Sequence, residues 1–210
     1  MPTRRATYNA NLEAATRLAA SLPLVHRTGY PSQPLPWQDI LRTGELRMSD
    51  VTDVEQQCGW SRAVYFFLGC AAYPKGNVGL LFDCSLSATT SGSFSPFDSG
   101  ALSSGFVVPI ENVAWTISDQ AGCLDRNSAD VANLEAFAGP YVAAHFNQPA
   151  SYVSRPQKST TDFDVYHRLR STTEDRRAWT IEVRLHDNVR LDLPGGYASS
   201  HRSSESGAGS

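Results

Sequence analysis

The alternation of apolar and polar residues along the chain predicts a domain of short strands with a few helices. The clearest signal lies at residues 178–185, where every second residue is apolar, a period typical of a strand. Other segments rich in β-branched or aromatic residues are predicted as strands: 22–25, 62–68, 77–82, 106–110 and 188–193. Segments with helical spacing or helix-starting residues are predicted as helices: 9–21, 36–43 and 128–146. This mixture predicts an α+β fold with about six short strands.

Two long stretches interrupt these elements. Residues 85–105 are rich in Ser, Thr and Gly, and residues 147–177 are polar with scattered aromatic side chains. We expect both to be long loops, which are usually functional or mobile in compact domains. Residues 194–210 are mostly small and polar, so we expect a single domain at 1–193 and a disordered tail at 194–210.

Charge and composition exclude several classes of protein. The chain has 210 residues with 41% apolar content and a net charge of −3, so it suits one domain with its own core. It has no basic excess that would announce a nucleic-acid partner. No apolar run approaches the ~18 residues of a membrane span. The amphipathic N-terminus includes Glu13 and Arg17, which is unlike a secretory signal. We therefore expect a cytoplasmic protein that does not enter membranes.

The cysteines and the standard motifs point to no metal and no common catalytic family. Cys58, Cys70, Cys84 and Cys123 lie 12, 14 and 39 residues apart, which fits no zinc pattern, so we expect free thiols and no metal. The chain contains no phosphate-binding loop, no dinucleotide-binding glycine motif and no nucleophile elbow. A cysteine and a histidine that meet only in space remain possible as a nucleophile pair.

Three polar residues stand within or beside apolar strands: His26, Tyr65 and Glu182. Each has an ordinary structural explanation. A histidine at a strand end is often hydrogen-bonded for stability, and a strand tyrosine is often half-buried packing. Glu182 falls on the face opposite Ile181 and Val183, so it could face solvent.

In this order and on these strands, the three residues resemble the His-Tyr-Glu triad of the ADP-ribosyltransferase superfamily, in its diphtheria-toxin and poly(ADP-ribose) polymerase branch. The first motif is Leu-Val-His-Arg-Thr at 24–28, followed by Ile-Leu-Arg-Thr-Gly-Glu-Leu at 40–46. The second is Val-Tyr-Phe at 64–66, and the third is Glu182 after a long loop. The resemblance implies a split mixed β-sheet with flanking helices, forming a catalytic domain over 1–193.

The resemblance also implies NAD⁺ as co-substrate and a role for each motif residue. His26 would donate to a hydroxyl of the adenine ribose, and Tyr65 would stack on the cationic nicotinamide ring. Glu182, the catalytic residue, would hydrogen-bond the ribose 2′-OH and stabilise the oxocarbenium-like ribose. The other cofactor-binding residues implied are Arg27, Thr28 and Tyr73.

The segment before Glu182 is where the superfamily recognises its acceptor. Basic residues interleave with aromatic ones there, a combination able to hold phosphates and stack bases, although a solvated polar loop explains it equally well. The substrate-binding residues expected from this segment are Tyr166, His167, Arg168 and Arg170. Thr180 stands where arginine-specific transferases carry Glu, which disfavours arginine as the acceptor.

These observations lead to one main hypothesis and two alternatives. The main hypothesis is a bacterial mono-ADP-ribosyltransferase that modifies a nucleic-acid base or a protein side chain. A toxin or phage-defence effector with an antitoxin or immunity partner is its expected setting, and some features resemble DarT-like toxins, which modify DNA. One alternative is an NAD⁺ glycohydrolase on the same fold. The other is a non-catalytic binding or immunity module in which the three residues are structural.

Overall fold

The computed structural model describes residues 4–28, 37–70, 72, 78–83, 91–111, 114–154, 168–172 and 175–191. The helices, in chain order, are α1 Arg4–Ser21, α2 Trp37–Thr43, α3 Asp53–Gln57, α4 Gly100–Ser103, α5 Ile117–Arg126, α6 Leu134–His145 and α7 Ser151–Ser154. The strands are β1 Leu24–Thr28, β2 Glu45–Leu46, β3 Ser49–Asp50, β4 Arg62–Leu68, β5 Val78–Phe82, β6 Gly92–Ser95, β7 Val107–Pro109, β8 Ala129–Asp130, β9 Leu169–Ser171, β10 Glu182–Leu185 and β11 Val189–Arg190. The predicted mixed α+β class is therefore confirmed.

One seven-stranded sheet forms the centre of the molecule. Its main path has the order β5-β1-β4-β10-β6-β8, and β3 pairs with β4 beside that path. Two separate ribbons pair β11 with β2 and β7 with β9. Every ladder between described strands is antiparallel, so the expected mixed sheet is wrong for this part of the chain. Antiparallel neighbours need no crossover connection.

The register of the ladders divides the sheet into an apolar face and a polar face. Leu24 pairs with Leu68 on the next strand, and Phe66 and Val183 pair across β4 and β10. These residues are all buried and form the apolar face with Phe94 of β6, which contacts Phe137 of α6. Helices α1 and α6 pack against each other, and a Cβ at Gly139 would collide with Thr16. The missing side chain therefore permits this close helix contact.

The opposite face carries polar side chains. On this face Tyr65 pairs with Arg184, and Phe67 pairs with Glu182, since partners in an antiparallel ladder point to the same side. On the other edge of β10, Glu182 pairs with Ser95. All four residues of β10 are buried, so both faces of this strand are covered. The prediction that Glu182 could face solvent is wrong.

The strand β1 leaves its neighbour β4 soon after the two strands meet. The β1–β4 ladder covers two residue pairs, Leu24 with Leu68 and Val25 with Phe67. The β1–β5 ladder on the other edge covers all of Leu24–Thr28. Both β1 and β4 continue past the end of their shared ladder, so the sheet has an unpaired seam near His26 and Tyr65.

Several predicted boundaries differ from the structure. The strand predicted at 62–68 is confirmed without change, and α1 begins earlier than predicted. Within the predicted loop 85–105, the described residues form β6 and α4. The helix predicted from 128 to 146 begins only at Leu134, after β8 and a 3-10 turn at Val131–Asn133, and it continues without a break through Gly139-Pro140. The expected N-cap at Ser128 is wrong, because its hydroxyl donates to the Leu124 carbonyl in the last turn of α5.

The strand signal at 178–185 covers two structures. Ala178 is the last residue of a 3-10 turn, Arg176–Ala178, which the side chain of Asp175 caps. The strand β10 itself begins only at Glu182. The predicted neighbour at 188–193 is also wrong, because β11 pairs with β2 instead of β10. The predicted tail at 194–210 lies outside the described residues. No helix in the described part of the chain has the length and apolar content to span a membrane.

Candidate functional site

The polar face of the sheet holds a buried group of charged and hydroxyl side chains, which we call the Glu182 cluster. Its members are Glu55, Tyr65, Asp98, Glu182 and Arg184. The four charged members are between 0% and 2% exposed, whereas Tyr65 is half-buried. Ionised side chains are almost never this deeply buried unless they are paired. The deep burial of these charged groups makes the cluster the candidate functional site of the described chain.

Local structure explains how the cluster forms. Glu182 and Arg184 are two residues apart on β10, so the pleat points both to the polar face. Tyr65 joins them because the register places it opposite Arg184. Glu55 arrives from helix α3, which begins with a capping box between Thr52 and Glu55. Helix α3 and strand β4, which are close in sequence, thus meet the distant strand β10 at one site.

Arg184 lies at the centre of the cluster and is 0% exposed. Its Nη1 donates to Glu182 Oε1 at 2.8 Å, its Nε to Ser93 Oγ at 3.2 Å and its Nη2 to Ser128 Oγ at 3.1 Å. The guanidinium carbon lies 4.5 Å from the centre of the Trp60 ring, a cation–π distance. The side chain is thus fixed in one orientation by four residues, of which only Glu182 belongs to the same strand.

Glu182 is held at one of its two carboxylate oxygens. Oε1 accepts from Arg184 Nη1 and from the backbone N–H of Ser99 at 3.2 Å. Burial raises the pKa of Glu182 above its usual range, and the charges of Asp98 and Glu55 raise it further against the opposing effect of Arg184. The cluster holds three carboxyl groups and one guanidinium, so it favours the approach of a cation.

Glu55 connects helix α3 to the sheet. Its Oε2 accepts from the Thr52 N–H at 2.8 Å, the Thr52 hydroxyl at 2.9 Å and the Tyr65 hydroxyl at 2.9 Å. Its Oε1 is buried without a hydrogen-bond partner and lies 3.9 Å from Arg184 Nη1. Burial raises the pKa of Tyr65, helped by the charges of Glu55 and Glu182. Tyr65 is thus a neutral donor whose hydroxyl is fixed, on a residue that is only half-buried.

His26 lies on the neighbouring strand, but its side chain does not join the cluster. The register puts His26 on the apolar face with Phe66, and the two rings are 5.5 Å apart. Its Nδ1 lies 2.8 Å from the Tyr65 carbonyl oxygen. Because a carbonyl only accepts, Nδ1 carries the proton. Burial lowers the pKa of His26, so Nε2 of the neutral ring can only accept. The expected donation to a ribose hydroxyl therefore does not fit, and a hydroxyl would donate to His26.

Arg27 lies on the same face of the sheet as Tyr65. Its Nε and Nη2 atoms are buried and have no hydrogen-bond partner among the described residues. Unmatched guanidinium donors suit an anionic group such as phosphate. Thr28 ends β1, but its side chain is outside the described part of the chain, as is Tyr73.

Two of the four expected acceptor-binding residues are described, and neither lies on the central sheet. Arg168 and Arg170 flank or form β9, which pairs with β7 in a ribbon separate from the main sheet. Arg168 adopts a left-handed backbone conformation with φ 63° and forms an ion pair with Glu111. It lines a groove of about 790 Å³ that Trp115 and Arg126 also line. Tyr166 and His167 lie outside the described residues.

Two of the three described cysteines are poor candidates for a nucleophile. Cys58, Cys70 and Cys123 are free thiols. Burial raises the pKa of Cys58, and it raises that of Cys123 to about 11, which keeps both thiols protonated at neutral pH. Among the residues that the structure describes, no three His, Cys, Asp or Glu side chains are arranged to hold a metal ion.

Sequence reasoning identified Tyr65 and Glu182 but missed their partners. Arg184 shares the polar face with Glu182 by simple alternation, so the strand pattern could have suggested it. Glu55 follows Thr52 at the spacing of a capping box, which gives no sign of a second contact with Tyr65. Asp98 lies in a stretch that resembles a loop by composition. Only the folded chain brings these residues to Glu182.

Comparison with protein-family models, curated proteins and solved structures gave no significant match.

Proposed function

We propose that this protein is a mono-ADP-ribosyltransferase that transfers ADP-ribose from NAD⁺ to a macromolecular acceptor. The observation that carries the proposal is that Tyr65 and Glu182 share the polar face on adjacent strands, within a buried cluster rich in carboxyl groups. The three motif residues are far apart in sequence, at positions 26, 65 and 182, but their strands β1, β4 and β10 are neighbours in the sheet. Tyr65 and Glu182 share the polar face there, whereas His26 lies on the apolar face, so the adjacency supports a binding site formed by β4 and β10.

The charge of the cluster suits the cation that NAD⁺ presents. The nicotinamide ring is positively charged, and the ribose becomes positively charged as the ring departs. The site contains more carboxyl groups than guanidinium groups: Glu182, Glu55 and Asp98 against the single Arg184. A cation that enters the site lowers the pKa of Glu182, so substrate binding itself favours the ionised carboxylate. Preorganised charge of this kind is typically the largest source of catalysis.

The proposed reaction uses these residues as follows. The ribose C1′–N bond breaks, and its electron pair leaves with neutral nicotinamide. Glu182 accepts a hydrogen bond from the ribose 2′-OH and stabilises the oxocarbenium-like ribose. A nucleophile of the acceptor then attacks C1′ with its lone pair and loses a proton to solvent. The Tyr65 ring packs on nicotinamide, and Arg27, with its unmatched donors, binds a phosphate of NAD⁺.

The test is nicotinamide release from NAD⁺, measured with and without DNA, RNA and cell lysate. Glu182→Gln keeps the shape of the side chain but removes its charge, and we expect it to abolish release. Glu135→Gln is the matched control, because Glu135 is an exposed carboxylate on α6. Release by Glu182→Gln at the wild-type rate would contradict the proposal.

The products distinguish the proposed enzyme from the alternatives. ADP-ribose attached to DNA, RNA or protein supports transfer and identifies the acceptor class. Free ADP-ribose as the sole product under all conditions supports an NAD⁺ glycohydrolase. The proposed setting, a bacterial toxin or phage-defence effector with an antitoxin or immunity partner, follows from the resemblance and is tested by expression in cells with and without Glu182→Gln.

A further inference from the structure

We propose that Arg184 is a positioning residue for Glu182. Together with the Ser99 N–H, it holds the Oε1 atom of that carboxylate, so that Oε2 is presented to the ribose of the substrate. This inference rests on the proposed function, because it assigns Arg184 a part in the same reaction.

The contacts of Glu182 are one-sided. Both hydrogen bonds that it receives from described residues end on Oε1, at 2.8 Å from Arg184 and 3.2 Å from Ser99. A carboxylate bound at one oxygen in this way cannot rotate without breaking both bonds. Oε2 is therefore the oxygen that remains for an incoming hydroxyl, in a direction set by the protein.

Arg184 can impose this direction because it is itself immobile. Its other donors are engaged by Ser93 on β6 and by Ser128, which follows α5. Trp60 covers the guanidinium plane. A lysine has a single ammonium group on a flexible stem, so it cannot satisfy these partners and Glu182 together.

Stability alone gives a weak reason for a wholly buried Arg184. Removing two charges from water is costly, and a buried ion pair often contributes less than apolar residues of the same size. Glu55 does not account for the arginine either, because its Oε1 lies 3.9 Å away without a hydrogen bond. The partner that the geometry selects for Arg184 is Glu182.

The first test compares Arg184→Lys with wild type. The kcat for nicotinamide release should fall roughly 10- to 100-fold, whereas the KM for NAD⁺ should change little because binding contacts remain. The acid limb of the pH–rate profile should move to higher pH, since Asp98, Glu55 and Tyr65 still face Glu182 while its cation is displaced. Arg190→Lys, at an exposed position on β11, is the matched control and should match wild type.

A second variant guards against a loss of folding. Ser128→Ala removes one anchor of Arg184 and leaves the ion pair in place, so we expect a folded protein with a smaller loss of kcat. A folded Arg184→Lys protein with wild-type kcat and an unmoved acid limb would overturn the inference. A fall in kcat without any change in the pH profile would also overturn it, because a merely structural role predicts that result.

A measurement without catalysis separates this inference from the proposed function. In protein labelled with ¹³C at the Glu side-chain carboxyl, the Glu182 resonance is identified by its absence in Glu182→Gln. Its titration midpoint should rise in Arg184→Lys and stay constant in Arg190→Lys. If wild type releases no nicotinamide, the proposed function fails while this titration still tests the contact. An unchanged midpoint in Arg184→Lys overturns the positioning role whether or not the enzyme is active.

Discussion

At the scale of the residue, Glu182 is held in a place where its charge is unfavourable. It is 2% exposed, and burial raises its pKa with help from Asp98 and Glu55. Residues that serve chemistry often reduce the stability of the fold that carries them. The surplus of carboxyl groups around Glu182 is consistent with the proposed role, because a cationic substrate would relieve it.

This surplus predicts how stability depends on pH. A carboxyl group whose pKa is raised in the folded state contributes stability below its unfolded pKa, near 4.5, and that contribution disappears as pH rises through the folded pKa. The Glu182→Gln variant has no carboxyl group to ionise at this position, so it does not lose this stability as pH rises. Its free energy of unfolding should therefore exceed that of wild type at neutral pH, and the excess should shrink towards pH 4.5. Urea denaturation across this pH range measures the difference.

Glu135→Gln provides the control for that measurement, because it removes a carboxylate that is exposed to solvent. If Glu182→Gln is less stable than wild type at neutral pH, the contact with Arg184 outweighs the repulsion among the carboxyl groups. The interpretation of the cluster as a site with surplus negative charge would then be wrong.

At the scale of the element, two capping boxes have the same form and different surroundings. Thr52 and Glu55 start α3, and Thr116 and Asp119 start α5. The acidic side chain of the first box is 0% exposed and also accepts from Tyr65, whereas the second box faces solvent. One box therefore supports the candidate site, and the other supports only its helix.

The pair of boxes provides a matched experiment. Thr52→Ala and Thr116→Ala should each lower the free energy of unfolding by about 1 kcal/mol. Only Thr52→Ala should also lower the rate of nicotinamide release several-fold, because Glu55 Oε2 then loses the hydroxyl that helps to fix it beside Tyr65. Urea denaturation and the release assay on both variants check this expectation. Equal activity in the two variants would show that α3 does not orient the site.

The elements also show what the sequence could and could not predict. Strand β4 was predicted correctly, because its β-branched and aromatic residues have a strong strand preference of their own. Strand β6 was not, because Gly92-Ser-Phe-Ser resembles a loop in composition. Its pairing with β10 is a tertiary contact, and a Cβ at Gly92 would collide with the Arg184 carbonyl oxygen. The residue that weakens the local signal is the one that the contact requires.

At the scale of the whole molecule, the site depends on the sheet rather than on any one segment. Its members come from α3, β4, β10 and the residues that follow β6, so no short stretch of sequence contains it. The motif residues could be found because they stand on recognisable strands. The sequence could not show which face of the sheet each side chain occupies. The pairing register of the strands decides this, and it places Tyr65 with Glu182 but His26 on the other face.

A site built across the central sheet couples ligand binding to the stability of the entire fold. NAD⁺ that binds the folded state alone should stabilise it by about 2.7 kcal/mol at a hundredfold excess over Kd, or roughly 5–10 °C in Tm for a chain of this size. The shift in Tm is best measured on the Glu182→Gln variant, because this variant should bind NAD⁺ without consuming it. Tyr65→Ala removes the ring that is proposed to pack on nicotinamide, so its shift should be much smaller. A shift that is equal in the two variants would place NAD⁺ away from Tyr65. No shift in either variant or in wild type would favour a non-catalytic module, in which the buried cluster serves structure alone.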